Sequence, residues 1–333
     1  MKLATYLDVH TEQKLVGLVD ASARSITNLQ ALHRNLFGHE VGMLSSMLSL
    51  MDDADRAMDL LRRLEQVSRT DDSATIPLAD VKLLAPVPRP RQLREFSVYP
   101  QHLLTAIPAM AIERAKYFGL PVPRLEELQR PLPPIYYETP IYYHCNASNV
   151  IGTGQPVVWP SYASILDYEL ELAMFIGRPG RNISAEKAAQ HIFGYTIFND
   201  VSARDQMFKE MEMQLGPTKG KSFDTGTVLG PWLVTRDEIP DVQGMTVEVH
   251  VNDERVSANT TGGMVHSFED MVAYASRDET LFSGEMFGSG TIPTCCGLEI
   301  NRFVAPGDVV RLTVSGIGSL VNPFVKPNQG GLS

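Results

Sequence analysis

Three carboxylates alternate along one short run, Asp167-Tyr-Glu-Leu-Glu-Leu, which continues into the apolar Ala173-Met-Phe-Ile. In an extended strand alternate side chains share a face, so Asp167, Glu169 and Glu171 point one way and Tyr168, Leu170 and Leu172 the other. Asp and Glu are depleted in strands, and like charges on one face repel. Two carboxylates about 6 Å apart at an effective dielectric of about 20 repel by roughly 3 kcal/mol. A bound cation converts that cost into ligation, whereas an edge strand with its acidic face in water avoids it. A run leading straight into Ala-Met-Phe-Ile is poorly suited to lie wholly in water, but the motif alone leaves both readings open.

A second segment bears on the choice. Gly194-Tyr-Thr-Ile-Phe-Asn-Asp-Val-Ser-Ala-Arg-Asp is an apolar strand ending abruptly in Asn199-Asp200. An acidic residue at a strand end can complete an oxygen-ligand shell; a turn or capping aspartate is the competing account. Carboxylates without His or Cys beside them favour hard cations, Mg²⁺ or Ca²⁺ with Mn²⁺ as a third candidate, over zinc. Further on, Gly216-Pro-Thr-Lys-Gly-Lys-Ser superficially resembles a phosphate-binding loop. It has one residue too few between its glycines and no strand leading into it, so a nucleotide site is not expected. Lys221, between a glycine turn and an aromatic residue, reads either as a fixed cation beside the site or as a surface lysine.

At 333 residues the chain can bury a full core without disulfide staples. Residues 1–88 read as a smaller N-terminal α/β domain, with short strands at Met1–Tyr6 and Leu15–Val19 and helical spacing over Ser22–Arg69. The Pro-rich run from Pro86 marks a change of segment. Residues 89–333 then read as short strands between Gly and Pro turns, the clearer ones being Ile165–Phe175, Gly194–Phe198, Thr227–Val234, Met245–Val251 and Val309–Val314. Helices are expected at Pro100–Phe118, Ala185–Phe193, with Ser184 as its N-cap, and Ser267–Ser276. Many strands with few intervening helices indicate an α+β chain with a rolled or barrel-like sheet.

The net charge of −10 argues against a nucleic-acid partner. No stretch approaches the roughly 20 apolar residues of a membrane span, and the opening lacks an apolar h-region, so no secretory signal is expected. Cys145, Cys295 and Cys296 make neither a disulfide framework nor zinc spacing, which fits a reduced, cytoplasmic compartment. The sequons at Asn146, Asn182 and Asn259 then carry no glycan.

Taken in order, five motifs between about Leu93 and Phe324 resemble the fumarylacetoacetate hydrolase family. They are Arg94-Glu-Phe with His102 seven residues after the Glu; the Asp-x-Glu-x-Glu strand; Asn-Asp-x-Ser-Ala-Arg-Asp; Gly-Lys-Ser-Phe-Asp-Thr with Gly230-Pro-Trp; and Gly288-Ser-Gly-Thr-Ile followed by Gly297-Leu-Glu. The resemblance implies a mixed β-roll carrying the active site, a smaller N-terminal domain and a homodimer. It implies Glu169, Glu171 and Asp200 as cation ligands, with Asp167 in a supporting place. Glu95 stands where fumarylacetoacetate-cleaving members have a fourth ligand, an Asp. His102 matches the base, Glu299 the carboxylate that orients it, and Lys221 the lysine that stabilises developing negative charge. Arg204, Thr225 and Thr291 match residues near the substrate. Two departures concern specificity: Met207 replaces a common substrate-contacting Gln, and Ala111 falls where a carboxylate-binding Arg is counted.

The implied activity is hydrolytic cleavage of a carbon–carbon bond in a 1,3-dicarbonyl or acylpyruvate-type oxo acid, with water activated by the His–Glu pair. The alternative on the same scaffold is decarboxylation, hydration or isomerisation through an enolate. Members of that kind tend to place a Glu three residues after the His, where this chain has Thr105.

Overall fold

The computed structural model describes residues 1–9 and 11–327. Among these, the largest sheet has 12 strands. Its main path runs Thr75–Pro77, Ser25–Asn28, Lys14–Val19, Lys2–Asp8, Thr227–Thr235, Ile192–Asp200, Leu170–Ile176, Met286–Gly288, Leu93–Phe96 and Tyr142–Cys145. The central strands Ile192–Asp200, Thr227–Thr235 and Leu170–Ile176 are buried at every residue. Both faces are covered, which explains why they read as continuous apolar runs. Along Leu170–Ile176, Leu170, Leu172, Met174 and Ile176 join one apolar cluster, while Ala173 and Phe175 join another. The second cluster is closed by Leu50, Met51, Leu61 and Leu64 from the helices Met47–Asp52 and Ala54–Ser68.

A smaller sheet of five strands holds Glu254–Thr260, Thr246–Val251, Val309–Val314, Gly318–Val325 and Val157–Val158. The fold is therefore mixed α+β, as the strand pattern indicates. Residue 88 lies in the connection between Val81–Leu83 and Leu93–Phe96. The large sheet nevertheless runs across it, because Lys2–Asp8 pairs with Thr227–Thr235 through Lys2↔Val234 and Leu3↔Leu233.

Three local expectations change. Ser25–Asn28 is a strand, not helix, because β-branched Ile26 and Thr27 pair on both sides with Lys14–Val19 and Thr75–Pro77. The helix starts only at Leu29, where the Asn28 side chain caps the Ala31 N–H at 3.0 Å. The Ala185 helix ends at Ala188, since Ile192 and Phe193 belong to the buried central strand; Ser184 occupies its N-cap position without a side-chain capping bond. The expected strand Ile165–Phe175 is broken into Leu166–Asp167 and Leu170–Ile176. The helix Pro100–Phe118 spans its expected range, with Pro100 at its start and Gly119 closing it in the left-handed region at φ 65°. No helix among the described residues is long and apolar enough to cross a membrane.

Candidate functional site

Strand order brings the acidic residues together. Leu93–Phe96 lies parallel to Met286–Gly288, placing Glu95 opposite Gly288. Gly288 pairs in turn with Ala173, and Leu170 with Asn199. Glu95, Glu171 and Asp200, from three different strands, each offer a carboxylate oxygen within 4.8 Å of the others, and all three are buried. Glycines make the room. A Cβ built on Gly288 would collide with the Glu95 carboxylate. Gly290, at φ 81°, turns its N–H to within 3.0 Å of both Glu95 Oε1 and Glu171 Oε2. Thr291 Oγ1 lies 3.4 Å from Glu171 Oε1, and the Tyr143 hydroxyl 3.4 Å from Asp200 Oδ2. Gly288→Ala should therefore cost about 1–3 kcal/mol of stability and weaken divalent-cation binding together; thermal denaturation and calorimetric titration of the variant check both.

A second layer of charge lies beside this group. Arg204 donates to Asp167 Oδ2 from Nε at 2.8 Å and from its terminal nitrogen at 2.6 Å, and to Glu169 Oε1 at 2.6 Å. Lys221 Nζ donates to Glu169 Oε2 at 2.6 Å and to Asp200 Oδ2 at 2.5 Å. Asp167 also accepts the N–H groups of Gly297 at 2.7 Å and Leu298 at 2.9 Å. These bonds turn the chain at Asp167 and break the strand. Glu169 thus lines the same cavity as the three carboxylates but stands outside their close group, each of its oxygens held by a cation. As a ligand it would have to share or release one of those contacts.

Burial and charge set these groups apart. Burial pushes the Glu171 carboxyl well above the usual range, and the adjacent Glu95 charge adds to it. Burial likewise pushes Glu95 well up, with Asp200 adding to the rise while a hydrogen bond with Glu171 opposes it. Asp200 is raised by burial to about 6, against the pull of Lys221. For Glu169 burial is outweighed by Lys221 and Arg204, and its carboxyl falls to about 2. Among the described residues Glu95 Oε2 is buried without a hydrogen-bond partner. A crowded, partly unsatisfied all-oxygen group fits a hard divalent cation, which would bind its deprotonated form.

The pH consequence has a definite sign. Carboxyls whose folded pKa is raised stabilise the cation-free protein at low pH, and that contribution is lost as pH rises through the folded pKa. For Asp200 the loss spans about pH 4 to 6, and Glu95 and Glu171 carry it higher. Cation binding must also release protons. The Tm difference between Mn²⁺-loaded and EDTA-treated protein is expected to widen from about pH 5 to 8, measurable by differential scanning calorimetry; a constant gap would contradict this assignment.

His102 and Glu299 complete the site from the other side. His102 is on the first turn of Pro100–Phe118, and Glu299 on the short helix Gly297–Ile300 packed against it. His102 Nδ1 is 2.8 Å from Glu299 Oε2. Glu299 also accepts from Thr105 Oγ1 at 2.5 Å and Thr294 N at 3.0 Å. Burial raises its carboxyl, but the His102 contact and these bonds hold it below the usual range. His102, Glu95, Glu169, Glu171, Asp200, Arg204, Lys221 and Thr291 all line one cavity of about 350 Å³. Thr225 is not among its lining residues; its hydroxyl accepts the Val158 N–H at 2.8 Å, and its backbone is left-handed at φ 68°. Sequence reasoning did not single out Gly288, Gly290 or Tyr143 as site residues. The Gly288-Ser-Gly-Thr motif carried a signal for the first two; nothing local marks Tyr143.

Residues 121–325 match the family described as fumarylacetoacetate (FAA) hydrolase C-terminal. The oxaloacetate tautomerase YisK of Bacillus subtilis (strain 168) is 30% identical over 316 residues, covering 92% of this chain and 95% of that protein. The mitochondrial oxaloacetate tautomerase fahd2 of Xenopus laevis is 39% identical over 190 residues, 56% of this chain and 58% of that protein. Among solved structures, maleylpyruvate hydrolase from Sphingobium sp. SYK-6, in complex with manganese(II) and pyruvate, superposes with a TM-score of 0.70 at 23% identity, covering 98% of this chain and 100% of that one. A family match over most of the chain, with a relative aligned nearly end to end, gives the conclusion: this chain belongs to the fumarylacetoacetate hydrolase family.

Proposed function

We propose that this enzyme acts on small 2-oxo acids of the acylpyruvate type and cleaves their carbon–carbon bond by hydrolysis. The observation that carries the reading is His102, bonded to Glu299 behind it, lining the same cavity as Glu95, Glu171 and Asp200. A divalent cation held by Glu95, Glu171 and Asp200, with Glu169 beside them, would supply Lewis-acid polarisation of the substrate oxygens. Proton movement falls to the protein. Glu299, bonded to His102 Nδ1, selects the tautomer that leaves Nε2 basic. His102 takes a proton from water, whose oxygen attacks the carbonyl carbon distal to the acid. The bond to the methylene carbon then breaks, and His102 returns the proton to that carbon. Lys221 lies beside the developing negative charge and holds Glu169 and Asp200 in place.

Keto–enol tautomerisation is the second reading, favoured by the names of the relatives. The same imidazole would move a proton between the methylene carbon and the enol oxygen, with no water consumed. Proton NMR of Mn²⁺-loaded protein separates the two. Acetylpyruvate converted into equimolar pyruvate and acetate supports hydrolysis. Faster loss of the oxaloacetate enol without a new acid supports tautomerisation. Acceleration of neither would overturn both readings.

A further inference from the structure

Both fixed cations lining the cavity are already neutralised within it. Arg204 is bound by Asp167 and Glu169, and Lys221 by Glu169 and Asp200. Among the described residues that line the cavity there is no other Arg or Lys. Arg114, on the same helix as His102, lies outside the lining; it pairs with Glu212 and donates Nε to the Phe208 carbonyl at 3.2 Å. The opposite wall is hydrocarbon and thioether. Leu103, Ile107 and Met110 fall at i, i+4 and i+7 on the His102 helix and so share one face. Met207 and Met211 face the same cavity from the segment that begins at Arg204. Ile107 is 53% exposed and Met211 46%, so part of this wall is left uncovered by the described residues.

We propose that the substrate is a 2-oxo acid with an apolar tail, lying along the wall of Leu103, Ile107, Met110, Met207 and Met211, and not a compound with a second carboxylate there. The proposal rests on the reading above only for the 2-oxo acid head. A distal carboxylate would lose water against leucine and methionine and find no free cation. An alkyl or aryl tail meets the opposite situation: each methylene buried contributes about a fourfold gain in affinity. Methionines, unbranched and polarizable, adapt to tails of differing shape.

The test uses the full-length, Mn²⁺-loaded protein and calorimetric binding, which needs no turnover. The series 2-oxobutanoate, 2-oxohexanoate and 2-oxooctanoate is compared with 2-oxoglutarate. The expected result is affinity rising about fourfold per methylene over the first additions, with 2-oxooctanoate at least about tenfold tighter than 2-oxoglutarate. Ile107→Lys, on the exposed part of the wall, should reverse that ranking. Equal or tighter binding of 2-oxoglutarate to the parent protein would overturn the proposal, as would an unchanged ranking in the lysine variant. Binding in the expected order without turnover of any acylpyruvate would leave the tail assignment standing and refute the reaction assigned above. No binding by any 2-oxo acid would refute both.

Discussion

His102→Ala is expected to lower kcat by about 10²- to 10⁴-fold while leaving divalent-cation affinity unchanged. The separation follows from geometry. His102 lines the cavity but lies outside the close group of Glu95, Glu171 and Asp200. Its own partner is Glu299, on a short helix, whereas the three carboxylates sit on strands. Removing the imidazole therefore removes the proton acceptor and leaves the oxygen ligands in place. Glu299→Gln should act more mildly, since the amide still positions the ring but no longer favours a charged imidazolium. Steady-state kinetics with calorimetric Mn²⁺ titration checks both variants. Turnover retained in His102→Ala would remove the base assignment, and lost cation binding would show that the two halves of the site are not separable.

Arg204→Met should cost about 3–5 kcal/mol of folding stability, the largest effect expected at a residue outside the three-carboxylate group. Arg204 is 2% exposed and is bound by both Asp167 and Glu169. Its charge is favoured despite burial because those two carboxylates flank it. Removing it leaves two buried carboxylates with one cation, Lys221, and three backbone N–H groups between them. The cost arises from the unpaired charge, not from lost packing, since Met preserves most of the volume. Urea unfolding at neutral pH measures it. The paired change Arg204→Met with Asp167→Asn should recover part of the loss, because it removes one of the stranded charges. A loss below about 1 kcal/mol would mean that water or a rearranged Lys221 already satisfies Asp167 and Glu169.

The parts of this fold that were legible in the sequence are those where local pattern and tertiary demand agree. Leu170–Ile176 and Thr227–Thr235 are apolar because both of their faces are buried, so periodicity and packing point the same way. Pro100 and Gly119 bracket a helix by backbone preference alone. The break at Asp167 was hidden, because it depends on N–H groups 130 and 131 residues further along the chain. Ser25–Asn28 misled for a similar reason: its helical spacing is overridden by strands on either side.

The site divides in the same way. The resemblance brought Glu95, Glu171, Asp200, His102 and Glu299 into view; the sheet places the first three around one cavity, a helix adds His102 to its lining, and Glu299 stands behind His102. It could not show that Glu169 and Arg204 bind each other, since pairing between buried charges is decided by side-chain geometry. Nor could it show Thr225 engaged with the Val158 backbone outside the cavity. Gly288 matters only because its neighbour across the strand is Glu95, a relation that sequence spacing does not carry.

The most direct measurement is an anomalous difference map from a crystal of this protein grown with Mn²⁺ and oxalate. The account predicts one strong peak among the carboxylate oxygens of Glu95, Glu171 and Asp200, with the oxalate on the side facing His102. A map without a peak at that position, or with manganese bound elsewhere while Glu95 and Glu171 remain against each other, would contradict it.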